Sequence, residues 1–389
     1  MRHLLLQAAL TSTIGLAAFC LATGSLAQST EQDAAENAAS DEIPDVYFVP
    51  MRGQMGTDVH PTIYKDVVKD ILAKKPDLIV YELNCADVNN IFYLNDDDPQ
   101  EASQFMLGEY RDLVKMLRED LRDIPQVMWV HDSVGFGSLM ALAWPDMYMT
   151  SDARLSGLGK VLAPVMSWRD PDVRAKMLAA WTGIGKGFID QGGYDLVIGE
   201  AMMRPEKSLS CSFVGREVTW RPDNEGTWII DDDPKRTATF TAQLAEDVGL
   251  CDGIADTRDD LMFLLGYREY REVADSGAIV DRYIESWRRA YEQCFTWAEE
   301  YQDALGWARG EEAVKYLGQA KERLERILSQ MIKSPAVEHR IRAATGITRT
   351  FVEIQIEQLR EQIRALRSGG RNQGLGGGGG DIAGDGSGV

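Results

Sequence analysis

Between positions 45 and 131, apolar strand-like runs alternate with helical ones, and this alternation limits the fold more than any other feature. "DVYFVPMRGQM" (45–55) reads as a strand ending in a glycine turn. "HPTIYKDVVKDILAKK" (60–75) carries Ile63, Val67, Val68, Ile71 and Leu72 at helical spacing. "DLIVYELN" (77–84) is almost continuously apolar, which marks a strand covered on both faces. "PQEASQFMLGEYRDLVKMLREDL" (99–121) is helical, and "QVMWVH" (126–131) is a third strand. Strand, helix, strand, helix, strand at this spacing predicts βαβ crossovers and a parallel sheet.

Further along, 172–207 reads as mostly helical, 210–233 as short hairpins, and 241–267 as helix, turn, short strand and helix. From about Asp281 the character changes. "EEAVKYLGQAKERLERILSQMIKS" places Leu317, Ala320, Leu324, Ile327 and Met331 at three- and four-residue steps, close to a heptad seam. The next helix is expected to continue it with Ile347, Phe351, Ile354, Leu359, Ile363 and Leu366. Trp287, Trp297 and Trp307 recur every ten residues, about three helical turns, and are read as packing residues. The last stretch, 369–389, is rich in glycine and reads as disordered.

Composition removes some functions. The formal net charge is −20, and so acidic a surface repels nucleic acid and anionic lipid. The N-terminus has a short basic start, an apolar run and "SLA-Q", so residues 1–27 read as a signal peptide cleaved after Ala27. Residues 28–44 read as an acidic disordered leader. The chain is expected to be exported to a periplasmic or other extracytoplasmic space. No later run has the ~20 apolar residues that span a bilayer, so membrane association would need an uncleaved leader or a partner. Cys85, Cys211, Cys251 and Cys294 are too widely spaced for a zinc knuckle and too few for a disulfide scaffold. Whether any two of them pair stays open. His60, His131 and His339 show no ligand-like spacing, and neither a metal nor a cofactor is expected.

Three blocks carry a resemblance. They are "VYFVPMRGQM" with "DVVKDILAKKPDLIVYELN", then "VMWVHDSVGFGSLMALAWPDMYMTSDARLSGLG", then "FTAQLAEDVGLCDGIADTRDDLM". In this order they resemble the ClpP/crotonase superfamily, and within it the NfeD-type and signal peptide peptidase A serine peptidases, over roughly 45–267. The resemblance implies an α/β fold, a ClpP/crotonase-like spiral of ββα units at 45–275. An appended C-terminal α-helical, coiled-coil-like region, a hairpin or bundle, is expected at 276–368. The resemblance also implies a homo-oligomer, and the C-terminal helices offer a surface for a polypeptide partner.

In those peptidases a serine at the start of the middle helix attacks the peptide bond, a buried lysine serves as its base, and backbone amides hold the oxyanion. Laid on this sequence, the base position falls on Lys176 and the nucleophile position on Gly135, which has no side chain. The glycine pair falls in "NCADVNN", which has no glycine. Two readings follow. One is a catalytically degenerate member that acts in assembly or binding. The other is an active Ser/Lys peptidase with a shifted nucleophile, Ser138 or Ser133. Ser138 sits three residues on, about 5 Å along a helix axis, and Ser133 is expected as a helix N-cap. His131, Asp132 and Ser133 are adjacent on a strand and alternate faces, so they form no relay; His131 is expected to be satisfied by hydrogen bonds. A crotonase-like acyl-CoA reaction would need the same backbone amides and free CoA, which exported compartments lack.

Overall fold

Alternation of side chains along three central strands builds the architecture. In the computed structural model of the protein, residues 43–85, 99–166, 168–215, 217–273 and 276–373 are described. Strands β1 (Asp45–Arg52), β2 (Leu78–Cys85) and β3 (Gln126–Val134) pair in parallel, with Val46 opposite Leu78 and Val80 opposite Val127. Helices α1 (Pro61–Lys74) and α2 (Pro99–Asp120) make the crossovers.

One face of this sheet carries Tyr47, Val49, Tyr81, Leu83, Met128 and Val130, packed on Val67 and Ile71 of α1 and Leu113 and Leu117 of α2. The other carries Phe48, Val80 and Trp129, packed on Leu261 and Met262. Burial on both sides is the reason β2 reads as a continuous apolar run.

Past β3 come α3 (Phe136–Ala141), β4 (Met147–Met149), β5 (Arg154–Ser156), α4 (Ala163–Met166), α5 (Pro171–Gln191) and α6 (Leu196–Met203). Strands β6 (Leu209–Val214), β7 (Glu217–Arg221) and β8 (Trp228–Asp231) form a separate antiparallel sheet in the order β7-β6-β8. The main sheet is completed by β9 (Phe240–Thr241), β10 (Gly253–Ile254) and β11 (Arg271–Glu272), with α7 (Ala242–Asp247) and α8 (Arg258–Leu264) between them. Its order is β10-β4-β3-β2-β1-β11, while β5 pairs with the end of β3 and antiparallel with β9. The protein is thus a mixed α/β fold on a largely parallel sheet.

Four helices follow: α9 (Ser276–Trp307), α10 (Ala313–Lys333), α11 (Pro335–Thr345) and α12 (Arg349–Gln373). Leu317, Ala320, Leu324, Ile327 and Met331 are all buried in their shared core. The expected stripe on α12 is corrected. Phe351, Ile354 and Leu366 are about half exposed, while Val352, Ile356, Leu359 and Ile363 face inward. The buried set advances by four, three and four residues, which keeps it on one side of a 3.6-residue helix. Trp287 is buried in this core and Trp297 packs against it, but Trp307 is exposed and lies edge-on to Tyr316. The four cysteines among the described residues, Cys85, Cys211, Cys251 and Cys294, are free and buried. Among the described residues no helix is long and apolar enough to cross a membrane, and no His, Cys, Asp and Glu cluster is placed to hold a metal.

Candidate functional site

The carboxyl ends of parallel strands are where α/β sheets offer clefts. Here β1, β2 and β3 end at Arg52, Cys85 and Val134, and the chain leaves β3 through Gly135 directly into α3. Gly135 has φ 63° and ψ −116° and caps α3 with no side-chain hydrogen bond. Its N–H donates to the Ser156 carbonyl of β5 at 2.8 Å. L-residues rarely adopt this conformation. A sharp strand-to-helix turn of this kind lifts the nucleophile in hydrolases, and here its apex is a glycine. The expectation that Ser133 caps the helix is corrected by the same geometry.

Ser133 and Ser138 instead meet each other. Both are fully buried, with hydroxyl oxygens 2.8 Å apart. The Ser133 hydroxyl reaches the Arg154 carbonyl at 2.9 Å, and the Ser138 hydroxyl reaches the Ser156 carbonyl at 2.9 Å. Ser138 Oγ also accepts the Ser156 N–H at 2.9 Å. Two hydroxyl protons thus serve three contacts, two to carbonyls of β5 and one between the serines. The pair ties α3 and β3 to β5, and none of these partners is an amine or imidazole that could take a proton.

Gly137 explains how α3 comes so close. A Cβ there would lie 3.0 Å from the Cβ of Cys85. The Cys85 thiol, pushed far up by burial and then by Asp58, stays protonated and donates to the Met51 carbonyl at 3.3 Å. Beside the apex, Phe136 is buried against Tyr110, with ring centres 5.2 Å apart.

Lys176 lies exposed on α5 and makes no hydrogen bond or ion pair among the described residues. The structure brings the two serines together but bonds neither to the lysine. Of the segment "NCADVNN", where the oxyanion amides are expected, residues 86–90 lie outside the described residues. His131 packs against Trp129 with ring centres 4.2 Å apart and planes tilted by 55°, and its buried Nε2 makes no hydrogen bond, which corrects the expectation that it is satisfied. Burial holds its pKa below the usual value, opposed by Glu82.

Sequence reading missed a polar seam at the end of β1. Asp58, 2% exposed, accepts hydrogen bonds from the Gln54 N–H and from Arg288 of α9, both at 3.0 Å. Gly53 (φ 93°) makes room, since a Cβ there would lie 2.5 Å from the Asp58 carboxylate. Arg52 pairs with Asp281 of α9, and Arg340 of α11 reaches Gln54 at 3.4 Å. His60 caps α1, its Nδ1 accepting the Thr62 N–H at 3.1 Å, and its Nε2 faces Glu109 at 3.3 Å. The turn residues in "RGQMGTDVHP" signalled a tight loop, but the Arg288 partner lies 230 residues away, beyond any local pattern.

No protein-family model matches the chain, and no curated protein matches it in sequence. Several solved structures are similar over about half of it, three of them as follows. A membrane-bound stomatin-specific protease, in complex with a substrate peptide, is 13% identical over 56% of this chain and 78% of its own, with a TM-score of 0.35. A membrane protease specific for a stomatin homolog from Pyrococcus horikoshii is 13% identical over 56% and 77%, with a TM-score of 0.33. A peptidase from Plasmodium falciparum is 11% identical over 54% and 96%, with a TM-score of 0.31. Scores this low fix no residue's role in this chain.

Proposed function

We propose that the chain is a ClpP/crotonase-type peptidase scaffold that has lost its nucleophile and now works as an exported assembly or binding protein. One observation carries this reading. The apex of the strand-to-helix turn is Gly135, and the two nearest hydroxyls, Ser133 and Ser138, are buried and hydrogen-bonded to β5. A serine nucleophile needs a base within hydrogen-bond reach and an approach for substrate. The buried serine pair offers neither.

The order of the three sequence blocks supports the superfamily and its spiral of ββα units. The binding role rests on the C-terminal helices, coiled-coil-like in this reading. They expose large apolar side chains at Phe295, Trp307, Ile332, Phe351 and Ile354. Exposed apolar side chains that gather into a patch mark contact surfaces, and the partner proposed here is a further copy of the chain or another polypeptide.

An active-site serine probe tests the loss of chemistry. The purified mature chain is expected to take up no fluorophosphonate label. Labelling that disappears in Ser138→Ala or Ser133→Ala, yet persists in a surface serine variant, would restore the Ser/Lys peptidase reading with Lys176 as base.

A further inference from the structure

The four C-terminal helices line a half-open cavity of about 340 Å³. It has room for roughly ten to twelve water-sized groups at about 30 Å³ each. Its wall is formed mainly by Ala298 of α9, Leu324 and Ile327 of α10, Ile341 of α11 and Val352 of α12. Phe295 and Phe351, 45% and 49% exposed, line it where it meets solvent.

The lining contains no Lys, Arg, His, Asp or Glu. Its two ionisable groups stay neutral, because burial pushes the Cys294 thiol up to about 11 and raises the Tyr301 phenol. The Thr345 hydroxyl donates to the Ile341 carbonyl at 2.6 Å. The amides of Gln302 and Gln355, with the neutral Tyr301 hydroxyl, are polar groups able to meet a ligand. Small-molecule sites share this form, an apolar concavity with a few polar groups that fix orientation. A charged headgroup would find no counter-ion in the lining, and an anionic one would also meet a chain of net charge −20.

We infer that this cavity binds a neutral, mainly aliphatic molecule of about ten carbons, its apolar chain among Leu324, Ile327 and Val352 and a hydroxyl, ester or amide at the glutamines. This site is separate from the Gly135 turn, and the inference stands whether or not that turn is catalytic.

The test uses the whole mature chain and straight-chain alcohols, followed by isothermal titration calorimetry. Each added CH₂ contributes about 0.8 kcal/mol, so affinity should rise about fourfold per carbon from hexanol to decanol. It should then level off at dodecanol, once the cavity is full. Decanoate should bind at least tenfold more weakly than decanol, and Ala298→Phe, which places a ring in the cavity, should weaken decanol at least tenfold. The alcohol series needs no variant, so it decides the matter even if Ala298→Phe misfolds. Absence of saturable one-to-one binding, a rise that continues through dodecanol, or equal binding of decanol and decanoate would overturn the inference.

Discussion

The hydroxyl oxygens of Ser133 and Ser138 lie 2.8 Å apart, and both are bonded to the backbone of β5. Removing either hydroxyl tests two readings of the turn at Gly135. A hydroxyl held as a structural tie loses stability when removed, whereas a nucleophile loses activity.

Ser138→Ala should therefore destabilise the fold by about 1–3 kcal/mol, because it takes away the acceptor of the Ser156 N–H and a partner of Ser133. Urea unfolding followed by far-UV circular dichroism measures this. A change below about 0.5 kcal/mol would mean the pair is not the tie described.

Gly135→Ala should also destabilise, by about 1–3 kcal/mol, since φ 63° with ψ −116° is strained for any residue with a Cβ. Unfolding midpoints of the variant and of a control such as Gly108→Ala, where a Cβ meets nothing within 4 Å, separate strain from a general effect of replacing glycine.

Lys176→Ala should leave stability within about 0.5 kcal/mol of the parent, as befits an exposed side chain with no partner among the described residues. A larger loss on thermal unfolding would point to a buried role for this amine.

His339 makes stability depend on pH. Burial, followed by Arg342, His60 and Arg340, pushes its pKa down to about 3. In the unfolded chain an imidazole gains its proton near pH 6.5. Above that pH the residue is neutral in both states and has no effect. As pH falls from about 6.5 towards 3, only the unfolded state binds the proton, so stability falls by up to about 1.4 kcal/mol per pH unit. His131, lowered by burial in the same direction, adds to this slope. Urea midpoints at pH 7 and pH 5 should differ less in His339→Leu than in the parent. An unchanged difference would remove His339 from the account.

Static light scattering should give a solution mass above the 43.3 kDa of a single full-length chain. Truncation after residue 275 should reduce it if the C-terminal helices carry the assembly. A monomer with those helices intact would contradict the assembly role.

Much of the fold was legible because its signals are local. The doubly buried β2, the amphipathic α1 and the seam on α10 each announce themselves within a dozen residues. On α12, Phe351 and Ile354 are apolar yet exposed, so apolar spacing alone puts them in the stripe in place of Val352 and Ile356. At the candidate site, the glycine at the apex could be read directly. The tie between Ser133 and Ser138 could not, because it depends on β5 lying beside the end of β3. The Asp58–Arg288 bond was hidden for the same reason, since it joins the first strand's turn to a helix far along the chain.

Cleavage of fluorescein-labelled casein by the purified chain bears most directly on the proposed loss of the nucleophile. The expected result is a rate equal to the background of a Ser133→Ala/Ser138→Ala double variant. A rate above that background, abolished by Ser138→Ala or by Lys176→Ala in folded protein, would show that the turn at Gly135 still serves a working peptidase.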